Sequence, residues 1–134
     1  MIKLNFQNAF NAIRRDCILD SVSLHIPEIL PYVLASYGAP SKLVFGSYNL
    51  SSSEGVQPGD PLGPFLFSLA ISEALSHSSC TFTVGYLDDV TLGDTVQSLG
   101  CEIFKLRSLT AALGLSLNEA KCEIVGLSDE SRQV

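Results

Sequence analysis

The 134 residues fit one domain, and a chain of this length buries roughly two-thirds of its unfolded surface. With 46% hydrophobic and 16% charged residues it is expected to pack a globular core rather than remain disordered. The net charge of −6 weighs against a chain that grips nucleic acid unaided, because phosphate binding rests on Lys and Arg, and only Arg14 and Arg15 form a basic pair.

No apolar run reaches the roughly 18 residues that a bilayer span needs, so no membrane partner is expected. Met1-Ile-Lys-Leu-Asn5 lacks a signal-peptide layout, which points to an intracellular protein, cytoplasmic or nuclear. Cys17, Cys80, Cys101 and Cys122 are irregularly spaced, with no CxxC and no His at ligand spacing, and read as reduced, partly buried thiols. Asn49-Leu50-Ser51 matches a glycosylation sequon, which without a secretory signal carries no weight.

In chain order, Ile2 to Phe6 alternates as a short strand, and Gln7-Asn8 leads into a helix. From Ala9 to Leu24, Phe10, Ile13, Cys17 and Leu24 recur at helical spacing, with Ser21 where a further apolar residue is expected. Pro27 and Pro31 bracket a second helix over Ile29 to Tyr37, with Gly38 as its stop signal. Leu43 to Leu50 reads as a small β-hairpin and Ser51 to Gly59 as a polar loop. Asp60-Pro61 then begins a helix, since Asp caps free N–H groups and Pro suits the first turn. Leu62 to Ala74 is apolar on almost every side and predicts a buried helix.

Thr81 to Gly93 follows as a hairpin: β-rich runs from Thr81 to Tyr86 and Val90 to Leu92 flank the turn Tyr86-Leu87-Asp88-Asp89. Two adjacent carboxylates at a turn repel one another unless a cation lies between them, and Mg²⁺ held by carboxylates and substrate phosphates meets that need. An ordinary Asp-Asp turn would show the same tetrapeptide. Thr95 to Leu113 predicts an amphipathic helix with Val96, Leu99, Ile103, Leu106, Leu109 and Leu113 inward, closed by Gly114. A last strand over Cys122 to Val125 ends the domain, taken as residues 1–127, and 128–134 form a polar tail. The pattern is α+β and βαββαβ-like, compatible with an antiparallel sheet backed on one face by helices.

Four stretches in fixed order resemble one family: the palm of reverse transcriptases, RNA-directed DNA polymerases, of the non-LTR retrotransposon type. Lys3-Leu-Asn-Phe-Gln-Asn-Ala-Phe-Asn11 is similar to the first palm motif, in which an Asp precedes Ala-Phe. Glu54-Gly-Val-Gln-Pro-Gly-Asp-Pro-Leu-Gly-Pro64 resembles the second, a Gln-Gly-Asp-Pro-Leu-Gly-Pro loop leading into a buried helix. Tyr86-Leu-Asp-Asp89, the YLDD motif, matches the metal-binding hairpin, and Gly114-Leu-Ser-Leu-Asn-Glu-Ala-Lys-Cys-Glu123 resembles the fourth. Any one motif says little; four in order over nearly the whole chain say much.

The resemblance implies nucleotidyl transfer onto a DNA primer, directed by an RNA template and using dNTPs, with two Mg²⁺ (or Mn²⁺) ions clamping the attacking and leaving oxygens. It makes Asp88 a ligand and Asp89 a neighbouring, weaker one, and it places a third carboxylate at Asn5, where this chain has an amide. Losing that electrostatic support costs on the order of 3 kcal/mol or more, roughly a hundred- to thousand-fold in rate. Phe10 stands where the family has an aromatic under the sugar, and equally where a helix would bury a core Phe.

Gln57, Gly59 and Asp60 fall in the template- and nucleotide-binding loop, but Pro58 replaces the Gln before the Gly and offers neither a side-chain hydrogen bond nor an N–H. Gly59 and Gly63 permit close backbone approach, or serve only as turn punctuation. Lys121 matches the fourth motif's Lys, which would neutralise or protonate the departing pyrophosphate; a solvated lysine reads the same. His25 and His77 read as structural or exposed. The chain opens at the first palm strand and ends before a primer grip, so a fragment without fingers or thumb is expected. Those segments, or a protein partner, would supply the positive charge. The expected function is that of a palm fragment inactive as the isolated chain, with a retroelement-derived, non-catalytic interaction domain as the alternative.

Overall fold

The computed structural model describes residues 1–126, and the polar tail expected over 128–134 lies outside the described residues. Four strands form one antiparallel sheet in the order β4-β5-β1-β6: β1 (Ile2–Asn5), β4 (Phe82–Tyr86), β5 (Asp89–Gly93) and β6 (Glu123–Ile124). The α+β class and the antiparallel sheet backed by helices are as the sequence predicts. Alternation decides the two faces. Ile2, Leu4, Val90 and Leu92 point into the core, while Lys3, Asn5, Asp89 and Thr91 share the opposite face.

Against the inner face pack α4 (Gly63–Ser76), through Leu66, Phe67, Ala70 and Ile71, and α5 (Val96–Ala112), through Leu99 and Leu106. Helix α2 (Arg15–His25) adds Ile18 and Val22 to the same core, and α3 (Leu30–Tyr37) adds Val33. A separate hairpin, β2 (Ser41–Phe45) with β3 (Tyr48–Ser52), projects between α3 and α4 in the chain order. No helix among the described residues is long and apolar enough to cross a membrane.

The continuous helix expected over Ala9 to Leu24 is two helices. The first, α1 (Ala9–Ala12), ends at Ile13, whose ψ of 136° is extended, and α2 starts at Arg15. Tertiary partners take over the backbone groups that a helix would have paired. The Ile13 carbonyl accepts from the Gly55 N–H at 2.8 Å, and the Arg14 N–H donates to the Leu113 carbonyl at 2.8 Å. The break resets the helical phase. Ile18 and Val22 turn inward, Ser21 is buried in the place where an apolar residue was expected, and Leu24 is left in solvent.

Two further boundaries and faces move. Helix α4 begins at Gly63 rather than at Asp60, because the Asp60 carboxylate closes a local turn by accepting the Leu62 N–H at 2.9 Å. Its exposed side carries Phe65 and Glu73, so it is buried on one broad face and not all round. In α5, Thr95 caps the N-terminus by accepting from the Ser98 N–H, and Val96 is exposed instead of inward. Glu102 is buried there, accepting from the Ser79 hydroxyl at 2.8 Å with Lys105 Nζ at 3.7 Å. Burial alone would push its carboxyl up; the Ser79 donation and the Lys105 charge outweigh that and leave it below the ordinary value.

Candidate functional site

Strand β1 fixes the centre of the site. Asn5, its last residue, lies directly opposite Asp89, the first residue of β5, and Asp89 lies opposite Tyr86 at the end of β4. The two-residue loop Leu87-Asp88 therefore carries Asp88 at the tip of a tight hairpin, one residue before the carboxylate that faces Asn5. Leu87 has φ +54°, a left-handed conformation that hairpin turns demand and glycine or asparagine usually fills. Asp88 has no ion-pair partner among the described residues, whereas Asp89 Oδ2 lies 3.7 Å from Lys3 Nζ.

The fourth-motif segment holds the end of β1 from the other side. The Asn118 N–H donates to the Asn5 carbonyl at 2.8 Å, the Asn5 N–H meets Cys122 Sγ at 3.5 Å, and the Gln7 N–H donates to the Ser116 carbonyl at 2.8 Å. Lys121 ends the 3₁₀ turn Glu119–Lys121 in this segment and is exposed, with no ion-pair partner among the described residues. Its backbone is next to β1, but no contact brings its ammonium to the carboxylates.

The second motif builds a separate cleft of about 430 Å³, lined by Phe10, Asn11, the loop from Val56 to Asp60, Gly63 and Pro64. Phe10 is partly buried and stacks on Phe67 at 4.6 Å between ring centroids, so it is core and cleft wall at once. Gln57 is a clamp: its side-chain amide donates to the Ser36 carbonyl at 2.7 Å and to the Ser41 hydroxyl at 3.1 Å. Asp60 is equally committed, accepting from the Tyr37 hydroxyl at 2.5 Å as well as from Leu62. Pro58 and Gly59 form the exposed rim.

Sequence reasoning missed the two side chains on which this loop rests. Tyr37 is buried, and its oxygen also accepts the Gln57 N–H at 3.1 Å. Burial first, and the hydrogen bond to Asp60 second, push its phenol up to about 12. Arg15 lies 5.3 Å from the Tyr37 ring centroid and donates to the Gly55 carbonyl at 2.9 Å, the Ser52 carbonyl at 2.7 Å and the Ser52 hydroxyl at 2.9 Å. Of the basic pair that could have met phosphate, Arg15 is thus spent inside the fold on this loop, and Arg14 is paired with Asp16 at the surface. No signal in the sequence marks a buried Arg. Lys3 was missed as well, although its spacing of two from Asn5 puts both on one face of a strand and is a signal that could have found it.

The donor set does not fit a pair of divalent ions. Asp88 and Asp89 are the carboxylates, the third position is an amide, and Asp89 is already engaged by an ammonium. Among the described residues no group of three or more His, Cys, Asp or Glu side chains is placed to hold a metal ion.

Comparison with known proteins agrees with the family resemblance. Residues 1–132 match the family model described as reverse transcriptase (RNA-dependent DNA polymerase). The chain is 30% identical, over 96% of its length, to the 132 kDa protein of the retrotransposable element SLACS of Trypanosoma brucei gambiense. It is 26% identical, over 97% of its length, to the retrovirus-related Pol polyprotein of the type-2 retrotransposable element R2DM of Drosophila melanogaster. It spans only 12% and 14% of the lengths of these two proteins. With a hairpin carrying the paired carboxylates, a first strand ending opposite them and a family match over nearly all its residues, the chain belongs to the reverse transcriptase family.

Proposed function

We propose that this chain is a reverse-transcriptase palm, built for RNA-templated DNA synthesis but inactive as it stands. The observation that carries the reading is the pairing of Asn5 with Asp89: the strand that should bring a third carboxylate to the hairpin brings a neutral amide. On this reading Asp88 and Asp89 are the remnants of the catalytic and Mg²⁺- or Mn²⁺-binding set, and Phe10 with the Gln57–Asp60 loop is the wall against which nucleotide and template would lie. Gln57 and Asp60 act there by shaping the loop, since their side chains are committed to Ser36, Ser41, Tyr37 and Leu62. Lys121 would serve a departing pyrophosphate only if its segment shifts toward the hairpin.

The test is primer extension with RNA template, DNA primer, dNTPs and Mg²⁺ or Mn²⁺. No extension is expected. Extension that Asp88→Ala abolishes would refute the inactivity. A second reading, a retroelement-derived interaction domain, is favoured by one observation. Leu43, Phe45, Tyr48 and Leu50 share one face of the β2–β3 hairpin, and each is more than half exposed. A chain that stays monomeric in sedimentation and binds no hydrophobic dye would count against it.

A further inference from the structure

We propose that the Lys3 ammonium takes the place of a cation at this end of the sheet, neutralising the Asp88–Asp89 turn from within the chain. The inference rests on the palm reading above and deepens it. Lys3 Nζ is 3.7 Å from Asp89 Oδ2, and both side chains are about half-exposed. The register makes the contact a property of the strand. Lys3 and Asn5 are two residues apart and share a face, Asn5 lies opposite Asp89, and a long side chain reaches Asp89 along the diagonal. Leu4, between them, is fully buried, so a slip of one residue would bury Lys3 and expose Leu4. Glu123 lies opposite Lys3 on the other neighbouring strand, yet the ammonium sits on Asp89.

Charge shows the consequence. Asp88, Asp89, Asn5 and Lys3 together carry a single net negative charge, whereas a carboxylate at position 5 and a neutral residue at position 3 would give three. A divalent ion arriving at the turn meets a resident cation on one of its two carboxylates. It must displace Lys3 or bind through Asp88 with little help. Asn5 and Lys3 therefore act in the same direction, and restoring the carboxylate at position 5 leaves half the obstacle in place.

The experiment is Mn²⁺ titration by calorimetry, with paramagnetic broadening of the Tyr86–Val90 amide signals to locate the ion. The proteins are the chain itself, Asn5→Asp, and Asn5→Asp combined with Lys3→Gln or with Lys3→Arg. Removing one positive charge next to a divalent ion at an exposed site should tighten binding about tenfold, and salt should shrink the gain. Lys3→Gln is expected to show that gain over Asn5→Asp alone, and Lys3→Arg, which keeps the charge, is expected to show none. Equal affinity for Asn5→Asp with and without Lys3→Gln would overturn the role of Lys3 while leaving the palm site standing. A gain of the same size from Lys3→Arg would also overturn it, since packing and not charge would then matter. If no variant broadens Tyr86–Val90, the hairpin builds no cation site, and both the inference and the metal-site part of the palm reading fail.

Discussion

Arg15→Met removes a guanidinium that is only 6% exposed and that donates to the Gly55 carbonyl, the Ser52 carbonyl and the Ser52 hydroxyl. Hydrogen bonds from a charged donor contribute about 1.5–3 kcal/mol each, and the stacking on Tyr37 adds about 1 kcal/mol. Three effects offset part of that sum. Methionine fills much of the same volume, the guanidinium no longer has to be desolvated, and the Ser52 groups are near enough to solvent to recover water. The Gly55 carbonyl, in a buried residue, does not recover so easily. The net loss should be about 3 kcal/mol, a large share of the 5–15 kcal/mol typical of a domain. With a urea m-value of about 1.5 kcal/mol/M, the unfolding midpoint should fall by about 2 M. Arg15→Lys, which keeps the charge but not the fork, should lose roughly half as much. A midpoint within about 0.5 M of the parent's for Arg15→Met would refute the reasoning and return Arg15 to the candidate phosphate contacts.

Tyr37 predicts a loss of stability on the alkaline side. Its phenol is raised from 10.0 to about 12 in the fold, so its contribution is complete below pH 10 and disappears as pH rises through about 12. Unfolding free energy should therefore fall over that window, and more gently in Tyr37→Phe, as urea titrations at stepped pH would show; identical slopes would sink the assignment. Gly55→Ala would put a Cβ 2.5 Å from the Phe10 carbonyl oxygen at a φ of +71°, and should lose on the order of 3 kcal/mol or about 10 °C in Tm. Gly59→Ala, at φ +82° but with open space around it, should lose only about 1 kcal/mol, and equal losses at the two sites would contradict the steric argument.

What could be read in advance was whatever local pattern decides. The hairpin from Phe82 to Gly93 and the helix from Val96 to Ala112 fall within a residue or two of their sequence boundaries, because alternation, the Thr95 cap and the Gly114 stop are all local signals. The break at Ile13 was not legible. Its cause is the arrival of Gly55 and Leu113, from loops about 40 and 100 residues away along the chain, to pair with the backbone there. Asp60 reads as a helix cap for the same reason: its chemistry as an acceptor is plain in the sequence, but the donor at the shortest distance, Tyr37, is 23 residues earlier. Arg15 defeated composition outright, since a charged residue next to another reads as surface and this one is inside. Of the site itself, the order of the motifs and the amide at Asn5 were evident, while the committed state of Gln57 and Asp60 required the fold.

On the proposed reading, the site's electrostatics also bear on how the sheet end would hold together without an ion. A cluster of three carboxylates at the end of a sheet repels itself unless a cation is present, and it does so on a turn already under strain from Leu87 at φ +54°. In this chain one of the three is an amide, and another is paired with Lys3. The end of β1 is further held through its backbone by Asn118 and Cys122, contacts that no charge can disturb. On the proposed reading, the two features that weaken the site for a divalent ion, the Asn5 amide and the Lys3 contact, are the same two that relieve repulsion in its absence. A palm that no longer needs its metal to hold the sheet end together can lose polymerase chemistry and keep its core, because Leu4, Val90 and Leu92 pack on the other face of the same strands and are indifferent to the exchange.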